Sequence, residues 1–337
     1  YVTITIPAGR VPPGSTVIAL NHSRGSTSTV MAGTGPLALR LLAHPGDDIR
    51  IIVRQPSGVD YEVVQGAFRS PDGFAAVGPS GGTVTSADGA ISLVIEPGSI
   101  KGLAEIRLSY APESSITIPR LPGTPMDPAN VPFGAGVRIE TRGNFTLEKE
   151  LHVEVAAPPG LPEGRRAICL TPSHAIDPET GEEVEVWESV TSAVVSQGRF
   201  KTTSLPFMGV YGVQDTFMIY FFTPVYSHVL WGWVRDGCEV GRPPVAGVLC
   251  MSPAAGPTLR GQVTARTNRD GLYALFDVTM APPTNIVRFF DEVNHRQASS
   301  GTNISGFGPQ TGELVKFLEG LQGFSYANVD GLLPCPA

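Results

Sequence analysis

Charge is scarce in this sequence of 337 residues. Charged residues make up 16% of the chain, well below the ~25% of an ordinary globular protein. The 24 Lys and Arg residues are outnumbered by 31 Asp and Glu residues and form no basic stripe. A phosphate-binding surface needs clustered cations that displace counterions, so we expect no nucleic-acid partner.

Long apolar runs are absent as well. The most apolar stretch, Phe217–Tyr226, contains Pro224 and reaches about half of the ~20 residues that a membrane-spanning helix requires. We therefore expect no membrane insertion.

Sequence motifs of metal-binding and catalytic sites are missing. The chain has no His-Glu-x-x-His or Cys-x-x-Cys pattern, and its six histidines are scattered without the spacing of zinc ligands. No nucleophile, base and orienting residue can be grouped from the sequence. We predict a protein that is not an enzyme and binds no cofactor; an enzyme whose catalytic site the sequence does not reveal is the remaining alternative.

Acidic loops provide the only metal candidates. Calcium requires six to eight oxygen ligands, whereas each acidic cluster offers one or two carboxylates. The alternative is turn chemistry, because Asp and Asn hydrogen-bond their own backbone. We predict no metal site and retain four calcium candidates: Asp47, Asp48, Asp270 and Asp291.

Helical patterns are nearly absent. With 39 Gly and 31 Pro, helix-breaking residues are too dense for a mainly helical fold. One segment, Gly312–Leu321, has helical spacing of its leucines. Short runs rich in Val, Ile and Thr alternate with turn residues instead. The sequence predicts an all-β protein of three β-sandwich modules in series, with at most one or two short helices.

The four cysteines leave the disulfide pairing open. Cys238 and Cys250 are close enough in sequence to pair, and Cys335 is a rival partner for either. Four buried thiols, including Cys169, are the other interpretation.

Two composition breaks divide the chain. Gly78–Gly82 is a Gly/Pro/Ser stretch, and the second break lies near Gln214-Asp215, just before the apolar run. We therefore expect modules at residues 1–77, 78–215 and 216–337.

The first module resembles a bacterial immunoglobulin-type sandwich. The resemblance is carried by Val11-Pro-Pro-Gly-Ser-Thr-Val-Ile18 and by the Gly-Asp turn that feeds the strand ending at Val53.

The second module, about residues 79–213, resembles the domain shared by zonula-occludens proteins, netrin receptors and ankyrins. The matching pieces include Gly81-Gly-Thr-Val84, Gly89–Ile100 and Trp187. Some members of that family cleave themselves at a His-Phe-Ser site. The matching stretch, Ser204–Gly209, lacks the His and the nucleophilic Ser, so we expect no self-cleavage.

The third module resembles a carboxypeptidase regulatory-like, transthyretin-type domain over about residues 228–295. The pieces are Gly232-Trp-Val-Arg-Asp236, Pro244-Val-Ala-Gly-Val248 and Thr267-Asn-Arg-Asp-Gly-Leu-Tyr273. This resemblance implies an accessory fold without a zinc site.

Two apolar segments are interface candidates. One is the terminal strand with Tyr1, Ile4 and Ile6, a donor for strand addition to a neighbour. The other is the aromatic stretch, whose candidates are Phe217, Tyr220, Phe222 and Tyr226; the alternative is that these rings form the core and hinge of the third module.

These patterns together indicate a non-enzymatic protein of the bacterial cell surface or extracellular space. The hypothesis is a stalk, filament or coat subunit whose partners are other protein chains, either its own copies or a surface assembly. The alternative is a carbohydrate- or protein-binding accessory module of a larger secreted protein.

Overall fold

The computed structural model describes most of the chain. The described residues are 1–9, 11–44, 47, 49–58, 60–64, 73–79, 81–102, 104–143, 145–149, 151–203, 216–226, 228–252, 259–278, 286–301 and 325–335. The predicted helix at Gly312–Leu321 and the stretch Ser204–Gly209 lie outside these residues.

The described residues form strands almost throughout. The strands of the N-terminal part are β1 (Val2–Ile6), β2 (Thr16–Asn21), β3 (Ser26–Met31), β4 (Leu37–Leu41), β5 (Ile49–Arg54) and β6 (Asp60–Val64). The next strands are β7 (Ala75–Val77), β8 (Gly82–Thr85), β9 (Ile91–Ile95), β10 (Ile100–Gly102), β11 (Ala104–Tyr110), β12 (Phe133–Arg142), β13 (Phe145–Leu147), β14 (His152–Ala156), β15 (Arg166–Ile176), β16 (Glu183–Ser196) and β17 (Arg199–Thr202). The last are β18 (Thr216–Phe222), β19 (His228–Asp236), β20 (Leu249–Met251), β21 (Val263–Arg266), β22 (Leu272–Asp277), β23 (Val287–Asp291), β24 (Arg296–Ser300), β25 (Ser325–Asn328) and β26 (Gly331–Leu333).

The all-β prediction is confirmed. A single 3₁₀ turn, Glu113–Ser115, is the only helical element within the described residues. Several strands alternate between buried and partly exposed residues: in β9, for example, Ile91, Leu93 and Ile95 are buried while the residues between them are partly exposed.

Residues 1–64 form a small β-sandwich. Its sheets have the strand orders β3-β2-β5-β6 and β1-β4. Alternate side chains point into one core, so that Val17, Leu39 and Ile51 are almost fully buried between the two sheets. This core is a separate hydrophobic cluster from those of the later strands.

Within the described residues, one sheet of 14 strands joins the later parts of the chain. Its main path runs β24-β23-β20-β21-β16-β15-β18-β12-β11-β7, with β8, β9, β14 and β17 attached beside it. Strand β16 is 14 residues long and pairs with three neighbours: antiparallel with β15 and β17, and parallel with β21. Hydrogen bonds of β16 therefore reach strands from both sides of residue 215.

Strand β18 also crosses the boundary that the sequence suggests. It begins at Thr216, yet it pairs antiparallel with β12 and with β15. Likewise β7, placed by sequence in the first module, pairs with β11. The segments that we expected to be the second and third modules are thus continuous in their backbone hydrogen bonding.

A shared core lies behind this continuous sheet. One buried cluster combines residues of both segments, among them Ile168, Trp187, Leu230 and Phe276. Trp187 is fully buried, and its ring makes edge contacts with Tyr220 at 6.0 Å and Phe222 at 5.4 Å between centroids. The indole of Trp187 therefore packs in the core between the two segments.

We expect Trp187→Ala to lower the free energy of unfolding by about 3–5 kcal/mol, because it removes a large buried ring and leaves a cavity. The measurement is urea unfolding followed by circular dichroism. Tyr110→Ala, at a side chain that is 57% exposed, is the matched control and should change stability by less than about 0.5 kcal/mol. A loss below about 1 kcal/mol for Trp187→Ala would contradict the assigned role.

Candidate functional site

The aromatic stretch before β19 belongs to the core. Tyr220 and Phe222 are fully buried, and Phe217 packs half-buried against the cluster beneath β11 and β12. Tyr226 is half-buried. An interface role for Tyr220 and Phe222 is therefore wrong, because β18 lies between β12 and β15 and turns both side chains inward.

The terminal strand is used inside its own chain. β1 pairs antiparallel with β4, with Ile4 opposite Leu39. Ile4 and Ile6 pack against the core of the first sandwich, whereas Tyr1 is 77% exposed beneath the Arg40 guanidinium. The apolar face of β1 therefore covers that core, while β1 remains an outer strand of its two-stranded sheet. Its role as a donor for a neighbour stays a prediction.

The calcium candidates of the loops have other partners. One carboxylate oxygen of Asp47 accepts bonds from Arg24 Nε at 2.6 Å and Asn21 Nδ2 at 2.7 Å. Asp270 is exposed beside Arg269, at 4.0 Å, and Asp48 lies outside the described residues. Within those residues no group of three or more His, Cys, Asp or Glu side chains converges as a metal site would require.

Asp291, the last calcium candidate, belongs to a buried ion-pair group that we name the Arg296 network (Asp236, Asp291 and Arg296). Arg296 Nη2 donates to Asp291 Oδ2 at 2.8 Å, and Nη1 donates to Asp236 Oδ2 at 2.7 Å. Asn294 Nδ2 donates to the same oxygen of Asp291 at 2.9 Å. The network ties the turn between β23 and β24 to the end of β19.

The carboxyl groups of the Arg296 network titrate below their ordinary range. The bond from Arg296 is the largest cause that lowers the pKa of Asp236. Burial raises the pKa of Asp291, but the bonds from Asn294 and Arg296 outweigh it and lower that pKa as well. Both groups are therefore anionic at neutral pH and face a fixed cation.

A second ion-pair group joins the two segments of the large sheet. We name it the Arg266 clasp (Glu188, Arg266 and Glu292). Arg266, at the end of β21, contacts Glu188 of β16 at 3.4 Å and hydrogen-bonds Glu292 in the turn after β23. Its Nη2 donates to the His174 carbonyl oxygen at 3.1 Å, and Glu292 accepts the backbone N–H of Ile176 at 2.7 Å.

The buried environment of the Arg266 clasp shifts the pKa values of Glu188 and Arg266. Burial raises the pKa of Glu188, and the neighbouring Arg266 only partly offsets this. Burial lowers the pKa of Arg266, but its bonds to Glu292 and Glu188 outweigh that effect and raise it. One cation thus holds two carboxylates that each belong to a different segment, which favours a single register between β16 and β21.

Two further polar contacts connect the same two segments as the Arg266 clasp. The Asp177 carboxylate accepts the backbone N–H of Leu259 at 3.2 Å. Arg288 of β23 pairs with Glu179 at 3.1 Å. These bonds repeat the pattern of the clasp, since each connects the turn after β15 to a residue beyond position 250.

The long connection between β11 and β12 covers the same junction. Arg120 in this connection stacks over the Phe222 ring at 4.8 Å from its centroid. It also donates to the carbonyl oxygens of Met126 and Val131, and Ile118 and Met126 are buried in the shared core. The connection between β11 and β12 therefore packs against the shared core and covers it.

The cysteines resolve the pairing that the sequence left open. Cys238 is bonded to Cys335. The pairing of Cys238 with Cys250 is wrong, because Cys250 is a buried thiol in β20 within the shared core. Burial raises the pKa of Cys169 and of Cys250 well above the ordinary thiol value, so neither is a thiolate nucleophile at neutral pH.

Sequence reasoning missed the residues that hold the junction. Arg120, Arg266 and Arg296 each occur singly and form no motif. Their partners are distant along the chain: Arg266 reaches Glu188, and Arg296 reaches Asp236. Only the low overall content of charge could have hinted that individual arginines are placed to neutralise buried carboxylates.

Comparisons with known proteins give little. No protein-family model and no curated protein matches the chain. Two crystal structures of BcpA, the major pilin subunit of Bacillus cereus, one of them a variant, align over 95% and 98% of this chain and 94% and 99% of theirs. Identity is 9% and 8%, and the TM-score is 0.17 in both cases. The described residues also contain no helical segment with the length and apolarity needed to cross a bilayer.

We expect Arg296→Met to lower the free energy of unfolding at pH 7 by about 3 kcal/mol or more, because it leaves the buried Asp291 carboxylate without its cation. A carboxyl whose folded-state pKa is lowered stabilises the fold above its unfolded pKa and loses that contribution as the pH falls through the folded value. The difference between wild type and variant should therefore shrink below about pH 4.

The measurement is urea unfolding at several pH values between about 3 and 7, where the carboxyl groups titrate. Arg269→Met, in an exposed pair, is the control and should lose less than about 1 kcal/mol. A penalty that stays constant across this range would show that Arg296 acts through packing alone.

Proposed function

We propose that this protein is a non-enzymatic structural subunit of the bacterial cell surface or extracellular space. It acts as a rigid body that contacts other protein chains, as in a stalk, a filament or a coat. The observation that carries the proposal is the junction at β16, where backbone pairing, the shared core around Trp187 and the Arg266 clasp join two segments of the chain.

Rigidity is the property that this junction provides. Interfaces between domains of one chain are ordinarily modest and polar, so relative motion is the default. Here β18 is inserted between β12 and β15, and β21 extends the sheet from β16. Bending between the two segments would break sheet hydrogen bonds and open a packed core, which favours a role as a load-bearing or spacing element.

The disulfide supports a location at the cell surface or in the extracellular space. Disulfides form and persist in oxidising compartments and are rare in the cytosol. Cys238 and Cys335 are 97 residues apart in sequence, so their bond closes a long loop and stabilises the fold by restricting the unfolded chain.

A second copy of the chain is the proposed partner, and β3 is the proposed contact. β3 is an outer strand of its sheet, and its six residues include no charged residue and no proline. Natural edge strands are ordinarily guarded by charges, prolines or bulges against pairing with other chains. Thr27, Thr29 and Met31 of this strand are exposed, and an unguarded edge supports strand addition between copies.

The binding-module alternative has less support. Recognition of carbohydrate or peptide by the aromatic stretch requires rings that face solvent, and Tyr220 and Phe222 are buried. We therefore favour the structural role.

Size-exclusion chromatography with light scattering, followed by negative-stain microscopy, tests the proposal. We expect concentration-dependent multimers, with fibres or rings on the grid. Thr29→Lys should shift the population toward monomer, because a charge on an edge strand disfavours pairing. Ala129→Lys, which adds the same charge in an exposed loop, should leave assembly unchanged. Monodisperse monomer at high protein concentration would overturn the assembly role.

A further inference from the structure

The C-terminal strands are added to the third segment by parallel pairing. β25 and β26 both run alongside β19, with Tyr326 opposite Val229 and Leu332 opposite Arg235. A parallel strand is not held by a hairpin turn. The contacts of this segment with β19 and its neighbours must therefore keep it in place.

Those contacts are specific and largely buried. The backbone N–H of Val329 donates to the Trp231 carbonyl oxygen at 2.7 Å, and the Asp330 carboxylate accepts the backbone N–H of Trp233 at 3.0 Å. Tyr273 donates its hydroxyl to the Val329 carbonyl oxygen. A Cβ at position 232 would clash with that same carbonyl, so Gly232 allows the close approach.

Pairing of this segment is nevertheless short. β26 pairs with β19 over three residues, Val234 to Asp236, and β25 pairs over four, His228 to Trp231. A pull on the chain beyond residue 335 would load these short pairings first. Their loss would uncover β19 and the shared core, because Val329 and Leu333 are buried there.

The disulfide changes which residues transmit a force applied beyond residue 335. Cys335 lies two residues after the end of β26, and its partner Cys238 lies two residues after the end of β19. We propose that the Cys238–Cys335 bond is a mechanical bypass, which carries tension from the C-terminal side of the chain directly to the end of β19. Residues 239–334 then bear no tension while the bond is intact, so that β20–β26 remain folded.

This inference deepens the proposed function and rests on it, since a bypass is useful only to a subunit that is pulled along its chain. The Arg296 network lies beside the point where force enters. Asp236 accepts the backbone N–H of Cys238 at 2.8 Å and pairs with the buried Arg296. The bond is thus anchored to a charged cluster at the base of the loop that carries Cys238.

Single-molecule force spectroscopy on the full chain, pulled between handles at its two ends, tests the bypass. In the oxidised protein the loop between Cys238 and Cys335, which are 97 positions apart, should stay closed. Adding a thiol reductant should lengthen the fully extended chain by about 330 Å, at ~3.4 Å per residue. It should also introduce an early unfolding event at lower force, as the C-terminal strands leave β19.

Cys238→Ser with Cys335→Ser should reproduce the reduced pattern without reductant. Cys169→Ala with Cys250→Ala, which removes the two free thiols, should keep the oxidised pattern and its sensitivity to reductant. Equal extended lengths with and without reductant, or a longer chain without an early low-force event, would overturn the bypass. The assay works on single molecules, so failure to assemble would refute the proposed function separately from this result.

Discussion

The pairing of β16 with strands from both sides of residue 215 is the constraint on which the rest of the structure depends. Because β16 pairs with β15, β17 and β21, its register links the strands before residue 215 to β21, β20, β23 and β24 in the same sheet. Trp187 lies where the parallel pairing with β21 begins, opposite Val263. Burial of this ring against Tyr220 and Phe222 couples the hydrophobic core to the sheet, so that neither can be rearranged without the other.

The buried charged side chains of this protein connect strands that are distant in sequence. With few ionisable residues, the chain places Arg266 and Arg296 where carboxylates from different strands converge. A buried ion pair contributes little net stability relative to apolar packing, but a wrong arrangement leaves a buried charge unpaired at high cost. We interpret both groups as devices that select one arrangement of the strands. Two of the calcium candidates, Asp47 and Asp291, are likewise ion-paired to arginine side chains.

The sequence predicted the class of fold, and the buried side of strands such as β9 and β14, because these depend on local patterns. Period-two alternation in β9 and β14 identifies inward side chains without knowledge of their partners. The aromatic stretch was ambiguous for the same reason: an apolar run is equally compatible with a core strand and with an exposed patch. The insertion of β18 between β12 and β15 decided the question, and no local signal specifies a neighbour that is about 80 residues away.

The sequence by itself determined that the chain folds into strands, that its histidines and cysteines form no catalytic motif, and that its terminal strand is apolar on one face. Only the tertiary structure decided that Cys335 rather than Cys250 is bonded to Cys238 and that single arginines clasp distant carboxylates. The physical reason is that hydrophobic alternation is a property of neighbours in sequence. Disulfides, ion pairs and strand order depend on distances in space, which the chain sets only after its strands have paired.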